Sequence, residues 1–256
     1  MHIMFAINRN YRAQAFNNRD RCLIIHYTAG NFSSSINALT GPNVSAHYLI
    51  PDISDSTYLK AGHSDQQIFC LLEEHQRAWH AGVSHWAGRS NLNDTAIGIE
   101  VVNQASDNQG LFQFPPYHPQ QISAIEQLAT DILQRYPDIG PCNVLGHSDI
   151  SIGRKSDPGA AFPWHALYLK GIGAWFDDDC RDSCLTQYQQ AGLPERTTLL
   201  KQFKEYGYDT SGATNEAGYR QLVRAFQLHF RPEHYDGVMD AQTAARLQAL
   251  VSKYVG

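Results

Sequence analysis

The sequence lacks several features by which major classes of protein are recognised. It has 20 lysine and arginine residues against 25 aspartate and glutamate residues, so it has no basic surplus with which to neutralise nucleic-acid phosphates. No stretch approaches the ~18 consecutive apolar residues that a membrane-spanning helix needs. No apolar segment near residue 1 resembles a signal peptide. These absences argue against a nucleic-acid partner and against a transmembrane segment.

Cysteine is also sparse. The five cysteines are an odd number spread over 256 residues, and no CxxC pair occurs. This pattern indicates neither a disulfide framework nor a structural zinc site made of cysteines. Hydrophobic residues make up 43% of the chain and aromatic residues 11%, which excludes a disordered chain and indicates a substantial core.

Three short apolar runs predict buried strands, and each run ends at a polar residue. The runs are 22–25 before His26, 96–99 before Glu100, and 143–146 before His147. Their length and their β-branched residues favour strand over helix. Weaker strands are expected over 47–50 and 68–72.

Helical patterns lie between the strands. Apolar residues at three- and four-residue spacing predict a helix over 119–136, with Pro119 in its first turn and Pro137 after its end. A shorter helix is expected over 33–39. Strands alternating with helices predict a mixed α/β domain over residues 1–176, in which helices flank a central sheet.

The composition changes after residue 176. Residues 177–196 are polar and contain turn residues, so we expect a linker or crossover there. Only helical patterns follow, and they predict a small three-helix domain over 197–256, docked on the first domain. Asp240 is the expected N-cap of the last helix.

A histidine, a lysine and an aspartate lie close together in the segment 146–159. His147 follows a strand, and the carboxyl ends of strands are where open α/β sheets bind ligands. Pro158 favours an extended conformation for Asp157, so Lys155 and Asp157 should project to the same side. This segment alone is compatible with a surface ion pair, a structural hydrogen-bond cluster, or a metal site with a neighbouring cation.

His26 favours the metal site. It also ends an apolar strand, and two strand-end histidines with Asp157 match a catalytic zinc site that leaves a fourth position for water. Hydrolysis then needs a proton acceptor, for which Glu100 is the candidate because it interrupts an apolar strand. A salt-bridged strand carboxylate is the alternative for Glu100. Lys155 is the candidate for stabilising an oxyanion.

Five stretches occur in order across the first domain and together resemble one family. They are IIHYTAG (24–30), SAHYLI (45–50), AWHAG (78–82), NLNDTAIGIEVVN (91–103) and GHSDISIGRKSDPG (146–159). The family is that of the zinc-dependent N-acetylmuramoyl-L-alanine amidases of the AmpD and AmiD type, whose fold is shared by peptidoglycan recognition proteins. The last stretch is the most specific, and the shorter ones are strong only together.

The resemblance implies a cofactor and a reaction. His26, His147 and Asp157 would be zinc ligands, with Glu100 as the catalytic carboxylate and Lys155 as the lysine that stabilises the transition state. The reaction would be hydrolysis of the amide between N-acetylmuramic acid and L-alanine of the peptidoglycan stem peptide.

Other residues of the matching stretches receive weaker assignments. Asn93 and His80 match positions beside the substrate cleft, so the resemblance implies that they bind substrate. We expect His47 and Trp79 to pack the wall of the cleft. Asp149 is expected to support the turn or the ligands rather than bind the metal.

The last domain carries a second resemblance. Residues 225–227 (AFQ) followed by 236–243 (DGVMDAQT) look like the helical peptidoglycan-binding module, although Asp240 stands where that module commonly has glycine. Two roles stay open for 197–256: binding the cell wall, or holding the catalytic domain or an oligomer together.

The leading hypothesis is therefore an amidase that acts on peptidoglycan or muropeptides. The sequence leaves open whether the protein is a homo-oligomer. The alternatives are a cytoplasmic recycling amidase for anhydro-muropeptides, a non-catalytic recognition module of the same fold, and a zinc hydrolase with another amide substrate. The helical domain favours a periplasmic site of action. The lack of a signal segment favours the cytoplasm, or export without a signal peptide, as in type VI secretion of an antibacterial effector.

Overall fold

A computed structural model describes residues 10–11, 13–108 and 110–256 of the protein. Nine strands lie within these residues, in chain order: β1 (Cys22–Tyr27), β2 (Tyr48–Ile50), β3 (Phe69–Cys70), β4 (His85–Trp86), β5 (Arg89–Ser90), β6 (Ala96–Val101), β7 (Ser106–Asn108), β8 (Leu111–Gln113) and β9 (Val144–Gly146).

Nine α-helices lie within the same residues. They are α1 (Phe32–Leu39), α2 (Ser56–Lys60), α3 (Pro119–Arg135), α4 (His147–Ile150), α5 (Trp164–Tyr168), α6 (Asp178–Ala191), α7 (Arg196–Tyr206), α8 (Glu216–Phe230) and α9 (Ala241–Tyr254). Two short 3-10 helices cover Leu92–Asp94 and Pro141–Asn143.

The central sheet has five strands in the order β3-β2-β6-β1-β9. The four strands β2, β6, β1 and β9 are parallel, and β3 is antiparallel at one edge. The carboxyl ends of β1, β6 and β9 therefore meet at one edge of the sheet. The mixed α/β fold predicted from the sequence is confirmed.

The strands of the centre are apolar because both faces of the sheet are covered. Leu23, Ile24 and Ile25 of β1 are essentially inaccessible to solvent. The helix α3 covers the sheet with a buried stripe that includes Ile125 and Ile132. A parallel strand buried on both faces reads as a continuous apolar run, which is why these strands were predictable from sequence.

The three helices predicted after residue 197 are present as α7, α8 and α9. Asp240 caps α9 as expected, since its Oδ1 accepts a hydrogen bond of 2.9 Å from the Thr243 amide. The segment 177–196, expected as a linker or crossover, instead consists mainly of the helix α6, which lies against α9. No residue of α6 is fully buried, so the helix has no apolar stripe by which the sequence could reveal it.

The helical unit is docked on the first domain through a shared core. The Trp86 ring packs edge-on against the rings of Tyr206 and Tyr208, with centroids 6.0 and 4.8 Å away. The Ala87 amide donates a 2.8 Å hydrogen bond to the Gly207 carbonyl. Gly207 has a φ of 137°, and a Cβ there would lie 2.7 Å from the Trp86 ring. One continuous apolar cluster thus spans both units.

A search of the described residues finds no helix with the length and apolarity needed to cross a membrane.

Candidate active site

Three of the residues singled out in the sequence meet at the carboxyl edge of the sheet. His26 and Glu100 are partners in register on β1 and β6. His147 begins α4 directly after β9, whose residue Gly146 is the partner of Ile25. Parallel topology therefore brings together side chains that are far apart in the chain.

Asp157 reaches the same edge from the loop that follows α4. The Ser148 amide donates a 2.9 Å hydrogen bond to the Asp157 carbonyl, which ties this loop to the first turn of α4. The peptide bond between Asp157 and Pro158 is cis. A Cβ on Gly146 would lie 2.7 Å from Pro158 Cδ, so glycine is required for this close approach.

His26, His147 and Asp157 converge on one point with three atoms. The two Nδ1 atoms of the histidines lie 3.0 Å apart. Asp157 Oδ2 lies 2.9 Å from His26 Nδ1 and 3.0 Å from His147 Nδ1. All three side chains are buried, with exposed fractions of 1%, 3% and 5%. Within the described residues this is the one group of three potential metal ligands.

The contacts of the other ring nitrogens assign the tautomers of both histidines. His147 Nε2 lies 3.0 Å from the Ala81 carbonyl oxygen, which accepts the Nε2 proton, so the longer contact of 3.2 Å between Nε2 and Arg154 Nη2 is not a hydrogen bond. His26 Nε2 lies 3.0 Å from His80 Nδ1, and His80 Nε2 faces the Ala96 carbonyl at 3.4 Å. A proton on His80 Nε2 leaves His80 Nδ1 as the acceptor of a hydrogen bond from His26 Nε2.

Both Nδ1 atoms are then lone-pair acceptors, and they face a carboxylate oxygen at about the same distance. Three acceptors gathered within 3.0 Å and without a proton between them repel one another. A cation relieves this repulsion, and two imidazole nitrogens with one carboxylate oxygen are a donor set that zinc uses in catalytic sites. The residues present therefore fit a zinc ion.

The protonation states suit metal ligation. Burial lowers the pKa of His26 to about 4, the neighbouring His147 acts in the same direction, and the negative charge of Asp157 opposes both. Burial alone would raise the pKa of Asp157, but the two histidines outweigh it and hold this pKa well below its usual range. A neutral imidazole and an ionised carboxylate are the forms that bind a metal.

Glu100 lies beside His26, His147 and Asp157 in the same cleft but is not part of that group. Its Oε2 is buried and has no hydrogen-bond partner. Burial, and then the negative charge of Asp157, raise the pKa of Glu100 well above its usual range, while Lys155 opposes the rise. No salt bridge involves this carboxylate, so the alternative of a salt-bridged strand residue finds no support among the described residues. A carboxyl group with a raised pKa is suited to general acid–base chemistry near neutral pH.

These residues lie in a cleft of about 580 Å³. Its lining includes His26, His147, Asp157, Glu100 and Lys155. Lys155 is exposed, whereas Asp157 is buried, and both side chains reach the cleft. The cleft thus combines a cation, a buried carboxyl group and a potential metal centre.

His80 and Asn93 occupy different positions relative to the cleft. His80 lines it, beneath the exposed rim residue Trp79. Asn93 does not line it; its Oδ1 accepts hydrogen bonds from the backbone amides of His80 (3.1 Å) and Ala81 (2.7 Å). Asn93 therefore holds the loop in which the His80 ring contacts His26 and the Ala81 carbonyl contacts His147.

His47, expected in the wall of the cleft, does not line it and instead packs behind the His80 ring, with ring centroids 5.8 Å apart. Its Nδ1 accepts a 3.0 Å hydrogen bond from the Gly98 amide, and its Nε2 faces the Gln76 carbonyl at 3.0 Å. A Cβ on Gly98 would lie 2.6 Å from the His80 ring, so glycine at this strand position leaves room for His80.

Arg154 was not singled out in the sequence. Its Nη2 donates to the carbonyls of Ala81 (2.9 Å) and Val83 (2.8 Å) and to Ser151 Oγ (2.6 Å). It therefore fastens the loop over His147, whose Nε2 is 3.2 Å away. In the sequence, Arg154 could have been noticed only by its position next to Lys155 in the stretch 146–159.

The family described as N-acetylmuramoyl-L-alanine amidase matches residues 17–160 of the chain. The N-acetylmuramoyl-L-alanine amidase AmiD of Escherichia coli is 41% identical over 251 residues, which cover 98% of this chain and 89% of that protein.

Two solved structures extend the similarity to the whole fold. The crystal structure of AmpDH3 from Pseudomonas aeruginosa with anhydromuramic pentapeptide is 53% identical, with a TM-score of 0.96 over 99% of this chain and all of that one. The complex of Escherichia coli AmiD with anhydro-N-acetylmuramic acid-L-Ala-D-gamma-Glu-L-Lys is 40% identical, with a TM-score of 0.85 over 97% of this chain and 95% of that one. Both similarities include the helical unit.

Proposed function

The chain belongs to the family of N-acetylmuramoyl-L-alanine amidases, and on that premise we propose that it works with a zinc ion held by His26, His147 and Asp157. The observation that carries the proposal is the convergence of two histidine Nδ1 atoms and one carboxylate oxygen within 3.0 Å, beside the Glu100 side chain, whose buried Oε2 has no hydrogen-bond partner. A module that only recognises muropeptides has no use for that carboxyl group.

Zinc bound at this site would lower the pKa of a water ligand to about 7 and so supply hydroxide at neutral pH. Glu100 accepts a proton from the attacking water and passes it to the amine of the departing L-alanine. The added positive charge of a metal would lower the pKa of Glu100 and favour its ionised, proton-accepting form. Lys155 stabilises the negative charge that develops on the amide oxygen.

We propose that the substrates are muropeptides, in the polymeric wall or as anhydro-muropeptide fragments. The support is that AmpDH3 and AmiD, which resemble this chain along nearly its full length, have been crystallised with anhydromuramyl peptides. Trp79, half exposed at the rim of the cleft, and His80 inside it offer surfaces for the sugar or the first residues of the peptide.

The test is digestion of purified peptidoglycan sacculi, with mass analysis of the soluble products. We expect free stem peptides that begin with L-alanine, their loss after treatment with a chelator, and their return when zinc is added. Products formed only from small anhydro-muropeptides would support the recycling alternative. An absence of products from either substrate with zinc present would support the recognition module.

We further propose a periplasmic site of action. The support is the helical unit, the feature that favours action on the cell wall. AmiD of Escherichia coli matches 98% of this chain, including that unit, whereas AmpD of Haemophilus influenzae matches 40% of it. Fractionation of the producing bacterium, and of neighbouring cells that it contacts, would locate the protein. Recovery outside the cytoplasmic membrane or in recipient cells is expected, and retention in the cytoplasm would favour recycling.

We also propose that the two parts of the chain have different roles. Catalysis is assigned to residues 1–176 and a wall-binding-like domain to 197–256. Co-sedimentation of the full-length protein with insoluble peptidoglycan, competed by soluble muropeptides that fill the cleft, separates the two contributions. Binding that persists under competition supports wall contact by the helical unit.

A further inference from the structure

A buried carboxylate lies in the same helical turn as His147. Asp149 is the third residue of α4 and is completely inaccessible to solvent. Its Oδ2 accepts a 2.8 Å hydrogen bond from the Gly146 amide, at the start of that turn. Without further donors, an ionised carboxylate at this depth would be costly.

The further donors come from the helical unit, far away in the sequence. The Tyr208 hydroxyl, just after α7, donates a 2.6 Å hydrogen bond to Asp149 Oδ1. His229 Nδ1, on α8, donates to Asp149 Oδ2 over 2.7 Å. The two oxygens of the carboxylate thus have three donors, two of which belong to the other unit.

The ring of His229 is fixed for this contact. It is stacked between the rings of Trp164 and Phe230, with centroids 3.9 and 4.0 Å away. Its Nε2 is buried and has no partner. An apolar ring would fill the same slot without leaving a polar atom unsatisfied, so packing alone does not account for a histidine here.

The turn that Asp149 holds contains one proposed metal ligand and is hydrogen-bonded to the backbone of a second. His147 is its first residue, and the Ser148 amide is bonded to the Asp157 carbonyl at 2.9 Å. A shift of Asp149 would therefore move both the His147 ring and the Asp157 carboxylate relative to His26.

We propose that Tyr208 and His229 are positioning residues of the metal site: the helical unit holds Asp149, and Asp149 holds the turn that presents His147 and Asp157. The inference rests on the proposed function, because it takes the ion at this site to be zinc. It makes the helical unit part of the catalytic apparatus, in addition to any contact that unit makes with the cell wall.

The test uses the full-length protein and measures the zinc dissociation constant by competition with a chelator. Tyr208→Phe removes one hydroxyl and keeps the ring, and His229→Leu removes the second donor. We expect each variant to weaken zinc binding about 10-fold, as is usual when a group that orients metal ligands is lost. His229→Asn, which keeps an N–H near the position of Nδ1, should recover part of the loss.

Tyr206→Phe is the matched control. Tyr206 is a buried tyrosine of the same unit, packed against both Trp86 and Tyr208, but its hydroxyl makes no hydrogen bond to Asp149. A general loosening of the helical unit would affect both tyrosine variants alike. The absorption spectrum of the cobalt-substituted protein supplies a second readout, and we expect it to change in Tyr208→Phe and not in Tyr206→Phe.

Equal zinc affinity and equal cobalt spectra in Tyr208→Phe, Tyr206→Phe and the wild type would overturn the inference while leaving the amidase intact. Should His229→Leu fail to fold, the nearly isosteric Tyr208→Phe decides alone. A wild-type protein that binds no zinc would contradict the proposed function itself, and this inference with it.

Discussion

His26 and Glu100 are direct partners in register on the adjacent parallel strands β1 and β6. A proposed metal ligand and the proposed catalytic carboxyl group therefore emerge on the same side of the sheet, one strand spacing apart, about 4.8 Å along the hydrogen-bonding direction. Their relative position is set by backbone hydrogen bonds in the core of the protein rather than by a loop.

Glu100→Gln should remove most of the turnover and leave zinc in place. The amide keeps the shape of the side chain but cannot accept the proton, and general acid–base groups contribute about 10²–10⁴-fold to rates. The measurements are kcat on muropeptides and zinc content by elemental analysis. Glu126→Gln, on α3 outside the cleft, is the control. Near-normal kcat in Glu100→Gln would remove Glu100 from the mechanism.

His147→Ala should lose bound zinc, because one of three protein ligands is gone and a carboxylate and an imidazole remain. Metal content after purification and dialysis is the readout. His75→Ala, at an exposed position outside the cleft, should keep its zinc. A His147→Ala protein with stoichiometric zinc would contradict the ligand assignment.

Asn93→Ala should lower the free energy of unfolding by about 1–3 kcal/mol, because the amides of His80 and Ala81 lose their shared acceptor. Asn93→Asp keeps an acceptor oxygen and should lose less. Urea unfolding measures the change, and steady-state kinetics complete the test. A higher KM in Asn93→Ala with unchanged stability would instead support direct substrate binding by this residue.

The zinc-free protein should become less stable as the pH falls from about 6.5 towards 4. Burial lowers the pKa of His26 to about 4, below its value near 6.5 in the unfolded chain. In this window the unfolded state binds the extra proton, so the free energy of unfolding rises with pH, by at most about 1.4 kcal/mol per pH unit for one group.

Other groups of the site act in the same window. The lowered pKa values of His80 and His47 add to the loss at low pH, as does that of Asp157 near pH 4, whereas the raised pKa of Glu100 acts in the opposite sense, since its neutral form is the one favoured in the fold. The free energy of unfolding is therefore measured against pH for two zinc-free proteins, Glu100→Gln and the double variant Glu100→Gln/His26→Gln. Identical pH profiles of the two proteins between pH 4 and 6.5 would show that His26 does not titrate as a buried group.

Much of the fold was readable from the sequence because its central strands are buried on both faces. The runs before His26, Glu100 and His147 correspond to β1, β6 and β9, and the helix predicted over 119–136 is α3. The residues predicted from strand ends and motifs as ligands, base and lysine line one cleft. Their roles as zinc ligands and catalytic groups stay predictions until the variants are measured.

Other features carried no readable pattern. The helix α6 is too polar to show an apolar stripe, and the hairpins β4–β5 and β7–β8 consist of strands of two or three residues. Arg154 acts through contacts with carbonyls, which no side-chain pattern encodes. The loop residue His80 owes its contact with His26 to the space left by Gly98, two positions before Glu100 on β6.

The sequence by itself determined the strands, the helices with strong periodicity and the identity of the residues at the strand ends, because burial and backbone propensity are local properties of short segments. Only the tertiary structure decided which partners those residues meet. The lowered pKa of His26 and the hydrogen bonds from Tyr208 and His229 to Asp149 depend on contacts between residues 54 to 131 positions apart in the chain. Such contacts arise from packing between segments, and no single segment specifies them.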